Sequence, residues 1–438
     1  METANERGSD AARITLKLLD DLLGRPADGR VGARLWDGTR WPDDRPRDAT
    51  LVLRHPGALR AMFRAGTELA LSEAYLYDDF DVEGDIESIF SLADSLAKRT
   101  SGAKRASRWT RKLTAIADLG RLPKYGRRTR TAGRGPARLA GRRHSVERDR
   151  EAIRYHYDVS NEFYRLFLDS RLVYSCAYFK DPDTDLETAQ VGKLDLICRK
   201  LRLKAGQRLL DIGCGWGGLV MHAARSYGVD ATGITLSANQ VALANERIEA
   251  AGLAKTCRVL PLDYREVEED RPWDALVSVG MFEHVGGGML GTYFRKAALL
   301  LGRGGVFLNH GIASRVTDPY DTGPSFSSSY VFPDGETLPV NVTLRAAERA
   351  GFEVRDVESL REHYALTLRH WVRRLEAGHA EALRHVDEPT YRVWRLYLSG
   401  SAHGFTTGRL NVYQALMSLP DGHGASGLPL TREDWYRP

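Results

Sequence analysis
The 438-residue chain predicts an α/β fold: a Rossmann-like, mostly parallel sheet with helices on both faces, plus a smaller N-terminal α+β domain. Two observations carry this. Past residue 150, short runs rich in Val, Ile and Leu alternate with stretches whose apolar residues recur at helical spacing, the order expected of an open parallel sheet. Residues 209–220 then read Leu-Leu-Asp-Ile-Gly-Cys-Gly-Trp-Gly-Gly-Leu-Val, a buried strand end that turns at once into a helix. Glycine at 213, 215 and 217 allows that turn and allows a ligand to lie against the backbone.

The elements follow in order. Residues 34–41 place Asp37-Gly38 between two short strands, a hairpin signal. Residues 50–53 read as another strand and 86–97 as an amphipathic helix. In the second half the strands expected are 208–212, 230–235, 258–262, 273–279, 305–309 and 352–357. This divides the chain into an accessory domain (1–97), a linker (98–150) and a catalytic domain (151–438).

Composition narrows the class. Apolar residues make up 42% and charged residues 28%, ordinary for a globular protein. Cys176, Cys198, Cys214 and Cys257 form no C-x-x-C pair, so neither a zinc site nor a disulfide scaffold is expected. Residues 1–13 are polar and lack the apolar core of a secretory signal. No run of ~18 apolar residues is present, so no membrane span is expected. The expected location is the cytoplasm. The net charge of +5 hides an asymmetry: 98–150 holds 18 Lys and Arg against Asp118, Glu147 and Asp149, so the segment carries +15 and the remainder −10. Its Arg/Gly-rich part, 126–143, reads as an exposed arm. Such a run is often only a solvated connector. As a contact it would meet a polyanion, either nucleic acid or anionic lipid headgroups, and charge alone does not choose.

The glycine loop lacks the third glycine of a dinucleotide fingerprint. An acid followed by alternating glycines, here Asp211 with Gly213, Gly215 and Gly217, is typical of enzymes that use S-adenosylmethionine. Ligands in such sheets sit beyond the carboxyl ends of the strands. Thr235 and Leu236, with Gln240 one turn on, end the second strand, where an acid commonly holds the ribose. Asp263-Tyr264-Arg265 ends the third, where an acid commonly meets adenine. Each alone is as readily a helix cap; in order at successive strand ends they point to an S-adenosylmethionine-dependent methyltransferase fold.

Tyr174-Ser175-Cys176-Ala177-Tyr178-Phe179 follows His156-Tyr157-Asp158-Val159-Ser160-Asn161-Glu162-Phe163-Tyr164. With Phe282-Glu283-His284-Val285-Gly286, His310-Gly311-Ile312 and the glycine loop, these residues make the chain resemble the cyclopropane-fatty-acyl-phospholipid synthases, whose catalytic half is shared by the mycolic acid cyclopropane synthases. The resemblance covers about 150–415. Residues 66–75 and the hairpin before them resemble the extra domain of the bacterial phospholipid enzymes.

The resemblance implies transfer of a methyl carbon from S-adenosylmethionine to a cis double bond of a phospholipid acyl chain, followed by proton loss to bound bicarbonate and ring closure. It implies bicarbonate ligands at Cys176, Glu283, His310, Ile312 (through its backbone) and Tyr364, and adds Tyr174 and Ser175 to the cofactor set. Glu283 would accept the bicarbonate O–H proton while His310 and Tyr364 donate. Taken singly, Cys176 reads as core, Glu283 as capped and His310 as a turn residue. His284 is set aside as pointing away from the crevice if Glu283 faces it. Tyr157, Tyr174, Tyr178, Phe179 and Phe282 are candidates to surround a carbocation, since ring faces stabilise positive charge; residues 325–339 are a candidate acyl-tunnel insertion. One departure stands out: the family often has a cysteine where this chain has Ser401, so no scheme using that thiol operates here.

The partners implied are an unsaturated phospholipid at an anionic membrane surface, reached peripherally from the inner face of the cell membrane, with a homodimer left open. A lipid methyltransferase forming a methylene or methyl branch is the nearest alternative. A nucleic-acid methyltransferase would need an Asn-Pro-Pro-Tyr or catalytic Pro-Cys motif, and neither occurs. A non-catalytic subunit would have no reason to keep the five-residue constellation.

Overall fold
A computed structural model describes residues 4–23, 29–102, 117–124, 135–157, 159–316 and 324–436. Asp158 and much of the basic segment, including 125–134, lie outside the described residues. The chain forms two units: Met1–Pro136 with Gly323–Tyr330 and Asp387–His403, and Ala137–Thr322 with Val331–Val386 and Gly404–Pro438.

The first unit carries a sheet of β1 (Val31–Arg34), β2 (Arg40–Trp41), β3 (Ala49–Leu53) and β4 (Phe80–Gly84), ordered β2-β1-β3-β4. The hairpin expected at Asp37-Gly38 joins β1 to β2, with Ala33 opposite Trp41. Later segments complete this unit. Arg392 donates to Asp78 at 3.0 Å and to Asp81 at 2.9 Å, and Tyr330 donates to Glu73 at 2.9 Å. The residues proposed as a tunnel insertion therefore divide between the units after Tyr330.

The second unit holds β5 (Arg208–Ile212), β6 (Asp230–Ile234), β7 (Cys257–Leu260), β8 (Trp273–Val279), β9 (Leu301–Ser314), β10 (Glu353–Ser359) and β11 (Leu410–Ser418). Their order is β10-β11-β9-β8-β5-β6-β7. β5 to β9 run parallel, and β11 is antiparallel to both β9 and β10. Alternate residues feed two cores, as the pleat requires: Leu209, Ala275, Val277 and Leu308 on one face, Leu210, Ile212, Leu276 and Phe307 on the other. The chain steps outward from β5 through β6 to β7, then returns to β8 on the other side. That reversal opens a crevice at the carboxyl end of β5.

The basic segment is not one free arm. Its end forms the helix Val146–Tyr157 in the second unit, because its charges find partners there. Arg148 makes two hydrogen bonds to Asp334, at 2.5 and 3.0 Å, Arg143 pairs with Glu336 at 2.8 Å, and Asp149 accepts from Arg265 at 2.9 Å. Among the described residues, no helix is long and apolar enough to cross a membrane.

Candidate active site
A cleft enclosing about 1120 Å³, part of it open to solvent, lies beyond the ends of β5, β6 and β8. Its floor is the glycine turn, pinned by hydrogen bonds from Gly213 and Cys214 N–H to the Ile234 carbonyl at 2.9 and 3.0 Å. The glycines have different reasons to be glycine. Gly215 has φ +56° and nothing within 4 Å of where a Cβ would stand, so its open side is ligand space. A Cβ at Gly213 would sit 2.5 Å from Met281 Cβ. Gly217 does not line the cleft. At φ +78° it starts the helix Gly218–Tyr227, and a Cβ would press on Ala244 at 3.3 Å. What the structure shows at Gly217 is packing against Ala244 and Val259.

Tyr174, Ser175, Asp211, Thr235, Leu236, Gln240, Asp263, Tyr264 and Arg265 all line the same cleft. The Thr235 hydroxyl donates to Gln240 Oε1 at 2.7 Å, which fixes that amide where the sequence lacks an acid. Asp263 caps a 3-10 turn and binds Arg265 through both oxygens, at 2.8 and 2.7 Å. Arg265 in turn reaches Asp149, so an acid–guanidinium–acid ladder forms one wall. Asp211 is buried and its Oδ1 has no partner among the described residues. Burial raises its pKa to about 7, against the opposing pull of Lys193. Lys193, itself fully buried, donates to Ser175 Oγ at 2.8 Å, and burial lowers it to about 8.

None of the five proposed catalytic residues lines this cleft. Ile312 N–H donates to Glu283 Oε1 at 2.6 Å. Among the described residues, Glu283 Oε2 and His310 Nε2 are buried without partners. His310 and Ile312, two apart on β9, present to one face. Ile312 pairs with Val412 of β11, whose carbonyl accepts from Leu360 N–H at 2.9 Å. The Leu360 carbonyl accepts from Tyr364 N–H at 3.0 Å and from Cys176 Sγ at 3.7 Å. Tyr364 is buried against Phe405, ring centroids 4.6 Å apart. Burial, opposed by the Ile312 N–H, raises Glu283 to about 7. Burial, reinforced by Lys193 and Lys200, holds His310 well below its ordinary value. Burial pushes the Cys176 thiol far up.

Some expectations are overturned. His284 does line the cleft, half-buried and lowered to about 4 by desolvation and by His144. Glu283 does not line it, so the condition on which His284 was set aside is not met; the 3-10 turn Phe282–His284 sends the two side chains to different places. Of the candidate cation-facing rings, Tyr157 and Tyr174 line the cleft. Phe282 packs instead in the core with Tyr293 and Phe294, and Phe179 and Tyr178 stack on His370 and His363. Lys193 was missed because it lies in Gln-Val-Gly-Lys-Leu-Asp-Leu, an ordinary amphipathic pattern. Among the described residues, no cluster of His, Cys, Asp and Glu suits a metal ion.

The family model described as mycolic acid cyclopropane synthetase matches residues 144–415. A probable fatty acid methyltransferase of Pseudomonas putida is 40% identical over 407 residues, 92% of this chain and 95% of its own. The cyclopropane-fatty-acyl-phospholipid synthase of Escherichia coli (strain K12) is 40% identical over 263 residues, covering 60% of this chain and 66% of its own. The crystal structure of mycolic acid cyclopropane synthase CmaA1 complexed with SAH and CTAB aligns with a TM-score of 0.58 at 35% identity, over 61% of this chain and 97% of that one.

Proposed function
Since the chain belongs to the mycolic acid cyclopropane synthetase family, we propose that this S-adenosylmethionine-dependent lipid methyltransferase acts on a cis double bond of an unsaturated phospholipid acyl chain and closes a cyclopropane ring with bicarbonate as the base. The observation that carries this reading is the pair of buried, unpartnered atoms, Glu283 Oε2 and His310 Nε2, beside the Glu283–Ile312 hydrogen bond. A buried acceptor and a buried ring nitrogen, both bare, suit a small oxyacid anion bearing one proton.

Bound along Gly213 and Gly215, with Asp211, Tyr174, Ser175, Thr235, Leu236, Gln240, Asp263, Tyr264 and Arg265 around it, S-adenosylmethionine supplies an electrophilic methyl. Held by Glu283, His310, the Ile312 backbone, Cys176 and Tyr364, bicarbonate supplies a base. The chain's own groups have separable tasks. Ile312 N–H occupies Glu283 Oε1, which leaves Oε2 to accept. His310, kept neutral by burial, donates rather than carries charge. Cys176 stays a thiol at neutral pH, so it does not compete for the methyl. Tyr157 and Tyr174 offer ring faces to positive charge and help exclude water.

A second reading has its own support. The relative that matches 92% of this chain carries the name fatty acid methyltransferase, whereas the phospholipid synthase matches 60%. A methyl- or methylene-branched product needs the same donor site and differs in which proton leaves. Mass spectrometry of lipids from a host expressing this chain separates them: one CH2 gained with the double bond lost and no hydrogen added is the ring; an exomethylene or a saturated methyl branch overturns it. For the substrate's location we propose a peripheral encounter with an anionic membrane surface through basic residues of 98–150.

A further inference from the structure
Behind His310 lies a buried chain of polar groups that the mechanism above does not use. Lys200, on the helix Leu186–Lys200, is fully buried, pairs with Glu358 and donates from Nζ to Gln414 Oε1 at 2.8 Å. Gln414, on β11 opposite His310, is also fully buried, and its Nε2 lies 3.2 Å from His310 Nδ1. His310 Nε2 is buried with no partner among the described residues.

The donor inventory fixes what this chain means. An ammonium has three donors and no acceptor, so the Gln414 oxygen must face Lys200. The amide nitrogen, donor only, then faces the imidazole. His310 Nδ1 must accept, and a neutral ring that accepts at Nδ1 carries its proton on Nε2. We propose that Lys200 and Gln414 are positioning residues that lock His310 in the Nε2–H tautomer, so that its unpartnered nitrogen is a preorganised hydrogen-bond donor and not a base. Burial and the positive charges of Lys193 and Lys200 oppose a second proton on the ring. The pairing costs nothing at the moment of reaction, because the lock is built before any ligand arrives. What Nε2–H meets rests on the bicarbonate reading; the tautomer does not.

The test uses the full-length chain labelled with 15N-histidine and no substrate present, with the His310 signals assigned by their loss in His310→Gln. Long-range 1H–15N spectra should show a protonated Nε2 and a bare Nδ1. In Gln414→Glu a carboxylate accepts from both Lys200 and the ring, so the proton should move to Nδ1. Turnover should then fall roughly 10²–10³-fold, the scale of losing one preorganised donor, with affinity for the methyl donor within about threefold of wild type, since His310 lies outside the cofactor cleft. Lys200→Met frees the amide to turn and should give a mixture of tautomers, which serves if Gln414→Glu does not fold. A wild-type ring protonated on Nδ1 or on both nitrogens overturns the proposal, as does a Gln414→Glu ring that keeps Nε2–H. The expected tautomers, found together with a rate indifferent to bicarbonate depletion, would uphold the lock and overturn the bicarbonate reading.

Discussion

The backbone N–H of Ile312 donates to Glu283 Oε1 at 2.6 Å, and this bond leaves one carboxylate oxygen buried and bare. A strand amide thus aims a side chain that sits on a separate 3-10 turn. Glu283→Gln keeps the shape and an oxygen for Ile312 but puts an NH2 donor where an acceptor stood. Turnover should fall by about 10²–10⁴-fold, the range for groups that manage a proton in the transition state. Calorimetric affinity for S-adenosylmethionine should stay close to wild type. An unchanged rate, both in this variant and in bicarbonate-depleted buffer, would remove Glu283 from the mechanism.

The same carboxyl sets a pH dependence. Glu283 is raised to about 7, mainly by burial. If the ionised form is the acceptor, kcat/KM falls as pH drops below about 7. Stability moves the other way. A carboxyl whose folded pKa lies above its unfolded value of roughly 4.3 contributes fully below that value and progressively less as pH rises through about 7. Asp211, also raised to about 7 by burial, acts in the same direction. Thermal melts should therefore show Glu283→Gln gaining on wild type between the two pKa values, with part of the slope left to Asp211. A Tm difference flat across that window would show that Glu283 titrates normally.

Gly215 faces open space and Gly213 faces Met281. Gly215→Val places a branched side chain where no protein atom lies within 4 Å, at a backbone φ of +56°. The strain should lower Tm by a few degrees, since a β-branched residue in this region costs on the order of 1–2 kcal/mol, while donor binding is lost. Gly213→Ala should cost stability as well as donor affinity, because its Cβ meets Met281, itself a lining residue. Near wild-type donor affinity in Gly215→Val would displace the cofactor from this turn.

Much of the second unit was legible because buried parallel strands leave continuous apolar runs. Arg208–Ile212 and Trp273–Val279 have the bounds that the pattern gives. β11 was missed: Leu-Asn-Val-Tyr-Gln-Ala-Leu-Met-Ser mixes helix formers with strand formers and is antiparallel, so no crossover rhythm marks it. Its loss hid Gln414, which only the β9–β11 register brings to His310. The N-terminal helix Ala4–Leu23 was not expected: residues 1–13 read only as polar, because acids and arginines dilute the apolar positions there. A motif gives residue types at spacings, but not which way a tight turn aims each one, so the sequence left open that His284 and not Glu283 lines the cleft.

The last prediction concerns the basic segment and an anionic surface. Its charge overstates what is available. Arg148 is bound to Asp334 and Arg143 to Glu336, so neither is a free cation for lipid. Arg142 is exposed, and Arg127, Arg128 and Arg130 lie in the stretch outside the described residues. Each cation engaged at an anionic bilayer contributes on the order of 1 kcal/mol, screened by salt. Replacing Arg127, Arg128, Arg130 and Arg142 with Gln should therefore weaken binding to phosphatidylglycerol-containing vesicles by about 10²-fold or more and lower activity on vesicles. Activity on detergent-dispersed lipid should fall far less. Arg148→Gln should do the opposite, lowering Tm through its partly buried pair with Asp334 while vesicle binding, measured on the folded protein, is kept. Vesicle binding that ignores both anionic lipid content and salt would show that the segment is a connector and not a membrane contact.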